Sequence, residues 1–257
     1  MPAVAALLDS SSGVAALRRT ISGSPVRLLS CRSATALSRA CEERFLDSIV
    51  LGLKALRDVD LLDLKTRFPR LPIIVYAALR PGDGEIMLQL VESRSVSALV
   101  VEGVDDAVVG DLVLRHGLAR ERELALADAP RLLRLREDIQ KAAWNFLVKA
   151  AGRQIETVEV ADELGVSREH LSRQFGAGGA PNLKRVIDLL RVVCASQLLA
   201  NPGHDTQAVS GMLGFSSTGH LTQVSKRITA GPVDRLAELG PRGILGKFVR
   251  VGMRSRR

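Results

Sequence analysis

Two stretches in the second half of the sequence repeat one spacing. In Thr157–Phe175 a small residue, Ala161, is followed by Gly165, Val166 and Ser167. In Thr206–Leu221 the same places hold Ser210, Gly214, Phe215 and Ser216. A small residue lets two helices cross closely. A glycine four positions later ends the first helix where positive φ is favoured. The apolar residue plugs the space between the helices, and the serine caps the second one. This is the pattern of a helix-turn-helix. In the first stretch Leu171 and Phe175, spaced i and i+4, face the core. Arg168, Glu169, Ser172 and Arg173 then face outward. The chemistry available to such a face is recognition: a guanidinium at Arg173 can read guanine through two hydrogen bonds.

Bond-making chemistry finds little support. The sequence holds no Walker A loop, no His-Glu-x-x-His, no Gly-x-Ser-x-Gly and no Cys-x-x-Cys. Gly176-Ala177-Gly178-Gly179 follows a helix rather than a strand, so it reads as the turn ending the first recognition helix. His116, His170, His204 and His220 lack metal spacing, and Cys31, Cys41 and Cys194 are too scattered for a disulfide framework or a zinc motif. No catalytic residue, metal or cofactor is expected.

Charge points to the same half. Residues 1–123 carry 16 basic and 16 acidic side chains, whereas residues 124–257 carry 20 and 12. The whole net charge of +8 therefore sits in the C-terminal half, and an anionic partner is expected there. Residues 241–257 add Arg242, Lys247, Arg250, Arg254, Arg256 and Arg257 with no acidic residue. They read as a basic tail, either a solvated end or extra phosphate contact.

Both helix-turn-helix stretches need a scaffold. Leu132, Leu135, Ile139, Ala142, Phe146 and Ala150 keep helical spacing ahead of the first, with Trp144 read as packing. Between the two, Leu183, Val186, Ile187, Leu190, Val193, Cys194, Gln197 and Leu198 form one stripe of a long helix. About 18 residues at ~1.5 Å each span about 27 Å. That suits a strut setting two recognition helices in adjacent major grooves, about 34 Å apart.

Residues 132–238 resemble the AraC/XylS family of bacterial transcription regulators. The resemblance rests on Leu213-Gly214-Phe215-Ser216-Ser217, on Arg191 and Ala195 in the linker helix, and on Leu198-Leu199. It implies two helix-turn-helix subdomains that bind double-stranded DNA as a pair. Carried over by position, Glu169, Ser172 and Arg173 read bases in the first, and Thr218, Gly219, Thr222 and Gln223 in the second. Arg168, Lys226 and Arg227 fall nearer phosphates. Leu221 and Ser225 stand where the family usually has Phe, and Ala230-Gly231-Pro232 is one residue short of the usual ending. The second motif is therefore expected to pack more softly and to read fewer bases.

The first half alternates strands and helices. Strands are expected at Val26–Cys31, Ser48–Leu53, Ile73–Ala77 and Ala98–Val101. Helices are expected at Ala34–Arg44, Leu61–Arg67, Glu85–Glu92 and Asp105–His116. Continuous apolar strands in this alternation argue for a parallel sheet covered on both faces. Residues 24–120 resemble a response-regulator receiver domain, shortened to four strands. Its chemical positions are replaced: Gly52 stands at the phosphate-accepting aspartate, Cys31, Arg32 and Ser33 at the magnesium-holding acids, Ala77 at the switch hydroxyl and Glu102 at the lysine. The resemblance implies a fold without phosphorylation or metal. This half reads as a structural or dimerisation module, with a small-molecule sensor as the alternative.

The expected architecture is thus an α/β N-terminal domain with a four-stranded parallel sheet, joined to an all-α C-terminal domain with two helix-turn-helix subdomains. The expected boundaries are an N-terminal segment 1–23, a receiver-like domain 24–123, a DNA-binding domain 124–240 with motifs at 157–175 and 205–228, and the tail 241–257. Aromatics are 3 % of residues, so the core must be aliphatic. Apolar runs such as Leu71–Leu79 are far shorter than a membrane span of about 18 residues. Ala3–Leu8 lacks the basic flank of a secretory signal. A cytoplasmic, sequence-specific DNA-binding transcription regulator is expected, with the transcription machinery as a further partner. The alternative is a non-enzymatic interaction or dimerisation protein whose DNA-binding half has decayed. Four sequential strands would leave one sheet face bare. Residues 1–23, with Val14–Leu17 as the apolar part, a crossing of the helix Asp105–His116, or a second subunit would cover it, and a homodimer through the N-terminal half is expected.

Overall fold

A computed structural model describes residues 1–92 and 95–254, and Arg256 and Arg257 of the expected tail lie outside the described residues. The chain divides into two compact units, residues 1–121 with 201–203, and residues 122–200 with 204–257.

The first unit is a five-stranded parallel sheet flanked by helices. Its order along the chain is β1 Ala3–Leu7, α1 Ser11–Ile21, β2 Arg27–Ser30, α2 Ala34–Glu43, β3 Leu46–Leu51, α3 Ala55–Asp58, α4 Leu61–Arg67, β4 Ile73–Ala77, α5 Gly84–Glu92, β5 Ala98–Val101 and α6 Val109–His116. The strand order is β2-β1-β3-β4-β5. All neighbours pair in parallel, with Val50 opposite Ile74 and Val75 opposite Leu99. The expectation of four strands is corrected. The fifth is Ala3–Leu7, which lies in the N-terminal segment 1–23, ahead of the expected domain. Its Ala-Val-Ala-Ala-Leu sequence is small and Ala-rich, a weak strand signal. It is an interior strand, paired with β2 and β3, and Val4 and Ala5 are wholly buried.

That strand reverses the chain's progress across the sheet, so right-handed crossovers put helices on both faces. On one face Val4, Ala6, Val50, Ile74, Tyr76 and Val100 pack under Leu17 and Ile21 of α1 and Val109 and Val113 of α6. On the other, Val75 and Ala77 pack under Met87 and Leu90 of α5. The chain covers both faces of its own sheet. The argument for a second subunit from a bare face therefore no longer applies.

β1 also corrects the register of the receiver resemblance. Cys31, Arg32 and Ser33 follow β2, and the acidic residue after β1 is Asp9. Its carboxylate accepts a hydrogen bond from the Lys54 amide at 3.0 Å. It also fills the space beside Gly52, where an added Cβ would lie 2.6 Å from it. Glu102, at the end of β5, accepts from the hydroxyls of Ser10 and Ser12. The ends of β3, β1 and β5 thus present a glycine, one carboxylate already bonded to backbone, and a hydroxyl-bonded glutamate. No aspartate stands at the end of β3.

The chain passes from the first unit to the second within α7 Leu118–Ala125, and the second unit is helical: α8 Ala129–Leu132, α9 Asp138–Lys149, α10 Thr157–Glu163, α11 Arg168–Phe175, α12 Leu183–Leu199, α13 Thr206–Met212, α14 Thr218–Thr229 and α15 Leu236–Arg254. The helical stripe expected from Leu132 is broken at Arg134, whose φ is +59°. In α9 the buried face is Gln140, Ala143, Trp144, Leu147 and Val148, one position on from the expected Ile139, Ala142 and Phe146. The residues read as a basic tail are the main part of α15, after a kink at Gly240 and with Pro241 in its first turn. Ile244, Leu245 and Phe248 are buried. This segment packs against α12 and α14. Its spacing of apolar residues among glycines and arginines disguised a core helix.

Candidate nucleic-acid interface

The first helix-turn-helix is α10 and α11. Glu156 and Glu159 form a capping box at the start of α10. Gly165 turns the chain at φ +64°. The Ser167 hydroxyl accepts from the His170 amide at 3.2 Å, as its place in the motif requires. Leu171 and Phe175 are fully buried, and Arg168, Glu169, Ser172 and Arg173 all face solvent.

Gln140 locks the end of α11, and the apolar periodicity of α9 gave no sign of it. It is buried, and its Nε2 donates to the carbonyls of Gln174, Phe175 and Ala177 at 3.2, 2.9 and 3.2 Å. Its Oε1 accepts from the amides of Arg136 and Glu137 at 2.8 and 3.1 Å. One side chain thus satisfies carbonyls at the end of the recognition helix and the two amides just ahead of α9.

The second helix-turn-helix is α13 and α14. Asp205 caps α13 by accepting from the Ala208 amide at 2.7 Å. Gly214 turns at φ +67°, with the Gln154 side chain packed against its Cα. The cap of α14 is Ser217, which accepts from the His220 amide at 3.1 Å. Ser216, the expected cap, bonds instead to the His220 ring at 3.1 Å. The second motif has one residue more between glycine and cap than the first, which shifts the helix start. Thr218, Gly219, Thr222, Gln223, Lys226 and Arg227 are exposed. The Thr222 hydroxyl donates back to the Thr218 carbonyl at 3.0 Å.

Leu221 and Ser225 are both fully buried, and the Ser225 hydroxyl has no hydrogen-bond partner among the described residues. α14 ends at Ala230 in the left-handed conformation, φ +54°, where a glycine would be unstrained.

The strut between the motifs is α12, about 26 Å long for 17 residues. Asn182 caps it by accepting from the Arg185 amide at 2.9 Å. Every residue of the expected stripe is buried, and so are Leu189, Val192, Ala195 and Ser196 outside it; α13, α14 and α15 all pack against this helix. Arg191 fastens the strut to the second turn. It donates to the carbonyls of Leu213 and Gly214 at 3.2 and 2.9 Å, and lies 3.8 Å from the centre of the Phe215 ring. His220 meets the same ring edge-on at 5.5 Å. Burial lowers the Arg191 pKa from the ordinary guanidinium value. Arg191 and the Phe215 plug therefore serve the turn's geometry.

Arg227 pairs with Asp188 of α12, whose side chain is only 4 % exposed. Its placement beside phosphate is accordingly shared with a structural ion pair. Among the described residues no group of three His, Cys, Asp or Glu side chains is arranged to hold a metal ion. No described helix is long and apolar enough to cross a membrane.

The comparisons with known proteins bear on the helical unit. A search of curated proteins finds no match to the sequence. A solved structure of full-length FixJ from B. japonicum is similar over 77 % of this chain and 97 % of its own, at 12 % identity and a TM-score of 0.37. Residues 160–236 match a family model described as a helix-turn-helix domain. The match runs from within α10 to the start of α15, so this segment of the chain is similar to a helix-turn-helix domain.

Proposed function

We propose that the protein is a sequence-specific DNA-binding transcription regulator that sets α11 and α14 into adjacent major grooves. One observation carries this reading: both helices bury one face in the unit and leave the other, with the residues expected to read bases, open to solvent. Glu169, Ser172 and Arg173 on α11, and Thr218, Gly219, Thr222 and Gln223 on α14, are the base-reading residues. Arg168, Lys226 and Arg227 are nearer the phosphates. The basic excess of the C-terminal half supplies the attraction to DNA that any such reading needs. Such a regulator works in the cytoplasm, without catalysis, and meets the transcription machinery on DNA.

The test is Arg173→Ala, measured on genomic fragments the protein selects and on random duplex. A base-reading arginine costs about 1–3 kcal/mol on the selected site and much less on random DNA. Equal losses on both would reduce Arg173 to a phosphate contact.

A second reading is an interaction protein with a decayed DNA-binding half. The unpartnered Ser225 hydroxyl and the strained Ala230 favour it, because both loosen α14. It predicts no selection among genomic fragments at any salt concentration.

A further inference from the structure

Two adjoining clefts, of about 390 and 530 Å³, lie between the first helix-turn-helix and the start of α12. They share Thr157, Arg168, Lys184 and Asp188 in their walls. Arg185, Arg191 and Arg227 make the lining net cationic against the carboxylates of Glu156 and Asp188, yet these three are engaged. Arg185 stacks over the Phe248 ring at 5.1 Å, Arg191 holds the turn at Gly214, and Arg227 pairs with Asp188. Arg168 and Lys184 are exposed, and their side chains make no hydrogen bond or ion pair among the described residues. Lys184 stands in the first turn of α12, where the helix's own amides add positive potential. A concave, cationic wall with two uncommitted charges suits a polyanionic strand better than a compact small molecule.

We propose that this groove seats one sugar-phosphate strand of DNA, with Lys184 joining Arg168 as its phosphate contacts. Asp188 limits its grip on arbitrary DNA: the buried carboxylate pins Arg227 and repels phosphate. The inference rests on the DNA-binding reading above, but assigns Lys184 and Asp188 roles that the recognition helices do not give them. A groove that merely attracted phosphate would gain from an uncharged residue at 188. An aspartate there trades general affinity for dependence on the contacts made by α11 and α14.

The test uses the full-length chain and a random-sequence 30-base-pair duplex, with binding followed by fluorescence anisotropy across a salt series. Each phosphate contact contributes about 0.9 to the slope of log K against log salt. Lys184→Ala should lower the slope by about that amount. Arg57→Ala, which removes one exposed charge from the other unit, should leave it unchanged. Asp188→Asn should tighten binding roughly five- to tenfold near 0.1 M salt and steepen the slope, as Arg227 gains a phosphate. An unchanged slope in Lys184→Ala, with wild-type protein still binding, would overturn the groove while leaving the DNA reading intact. Tightening absent in a folded Asp188→Asn would overturn the role of the aspartate. Wild-type protein that fails to bind either random or genomic duplex would overturn the DNA-binding reading and this inference together.

Discussion

Gly165 and Gly214 occupy equivalent turns with nearly equal positive φ, yet their surroundings differ. An added Cβ at Gly165 meets nothing within 4 Å, whereas at Gly214 it would lie 1.5 Å from Gln154 Nε2. Gly165→Ala should therefore cost only the left-handed strain, about 1–2 kcal/mol. Gly214→Ala should cost clearly more, because Gln154 must also move. Urea unfolding of the two variants checks the order, and equal losses would contradict the packing at Gly214. Gln140 is the other sensitive residue. Gln140→Met keeps the volume but strands the carbonyls that end α11, so a loss of about 2–4 kcal/mol is expected. Removing the unpartnered hydroxyl in Ser225→Ala should instead leave stability unchanged or raise it by about 1 kcal/mol.

At the scale of elements, α14 carries an internal conflict. Gly219 is the second residue of α14, on its exposed face, where an added Cβ would meet only the Ser217 hydroxyl at 3.7 Å, an ordinary contact, and glycine weakens a helix by up to about 0.5–1 kcal/mol relative to alanine. Gly219→Ala should raise the melting temperature. If the helix backbone comes close to DNA there, the same change should weaken DNA binding, so the two readouts move in opposite directions. Ala230→Gly should relieve the strained cap without touching the exposed face.

The helix-turn-helix pairs were legible because their turns use residue types that little else explains: a glycine at positive φ, an apolar plug and a hydroxyl cap. β4 and β5 were legible because Ile73–Ala77 and Ala98–Val101 are continuous apolar runs between turn signals. β1 was not, because alanine-rich Ala3–Leu7 owes its burial to its neighbours rather than to its own propensity. The core role of α15 was hidden because its basic residues dominate the composition while three apolar ones do the packing. Gln140 escaped because a buried polar residue leaves no mark on apolar periodicity.

For the whole molecule, the two units differ in what they can do chemically. The first has the 2-1-3-4-5 order whose switch point lies beside β1, where doubly wound sheets commonly bind ligands. In this chain Asp9 crowds that position against Gly52, and no aspartate ends β3. Acetyl phosphate with magnesium should therefore leave the protein's mass and its DNA affinity unchanged. A phosphate adduct in residues 1–121 would show that another residue accepts the group. The second unit bears the basic excess and both recognition helices, and the central claim is that α11 and α14 act on one DNA molecule together. Hydroxyl-radical footprinting on a genomic fragment selected by the protein tests this most directly. Two protected windows about 10 base pairs apart on one face of the duplex are predicted. A single window, or uniform protection that fades evenly with salt, would contradict it.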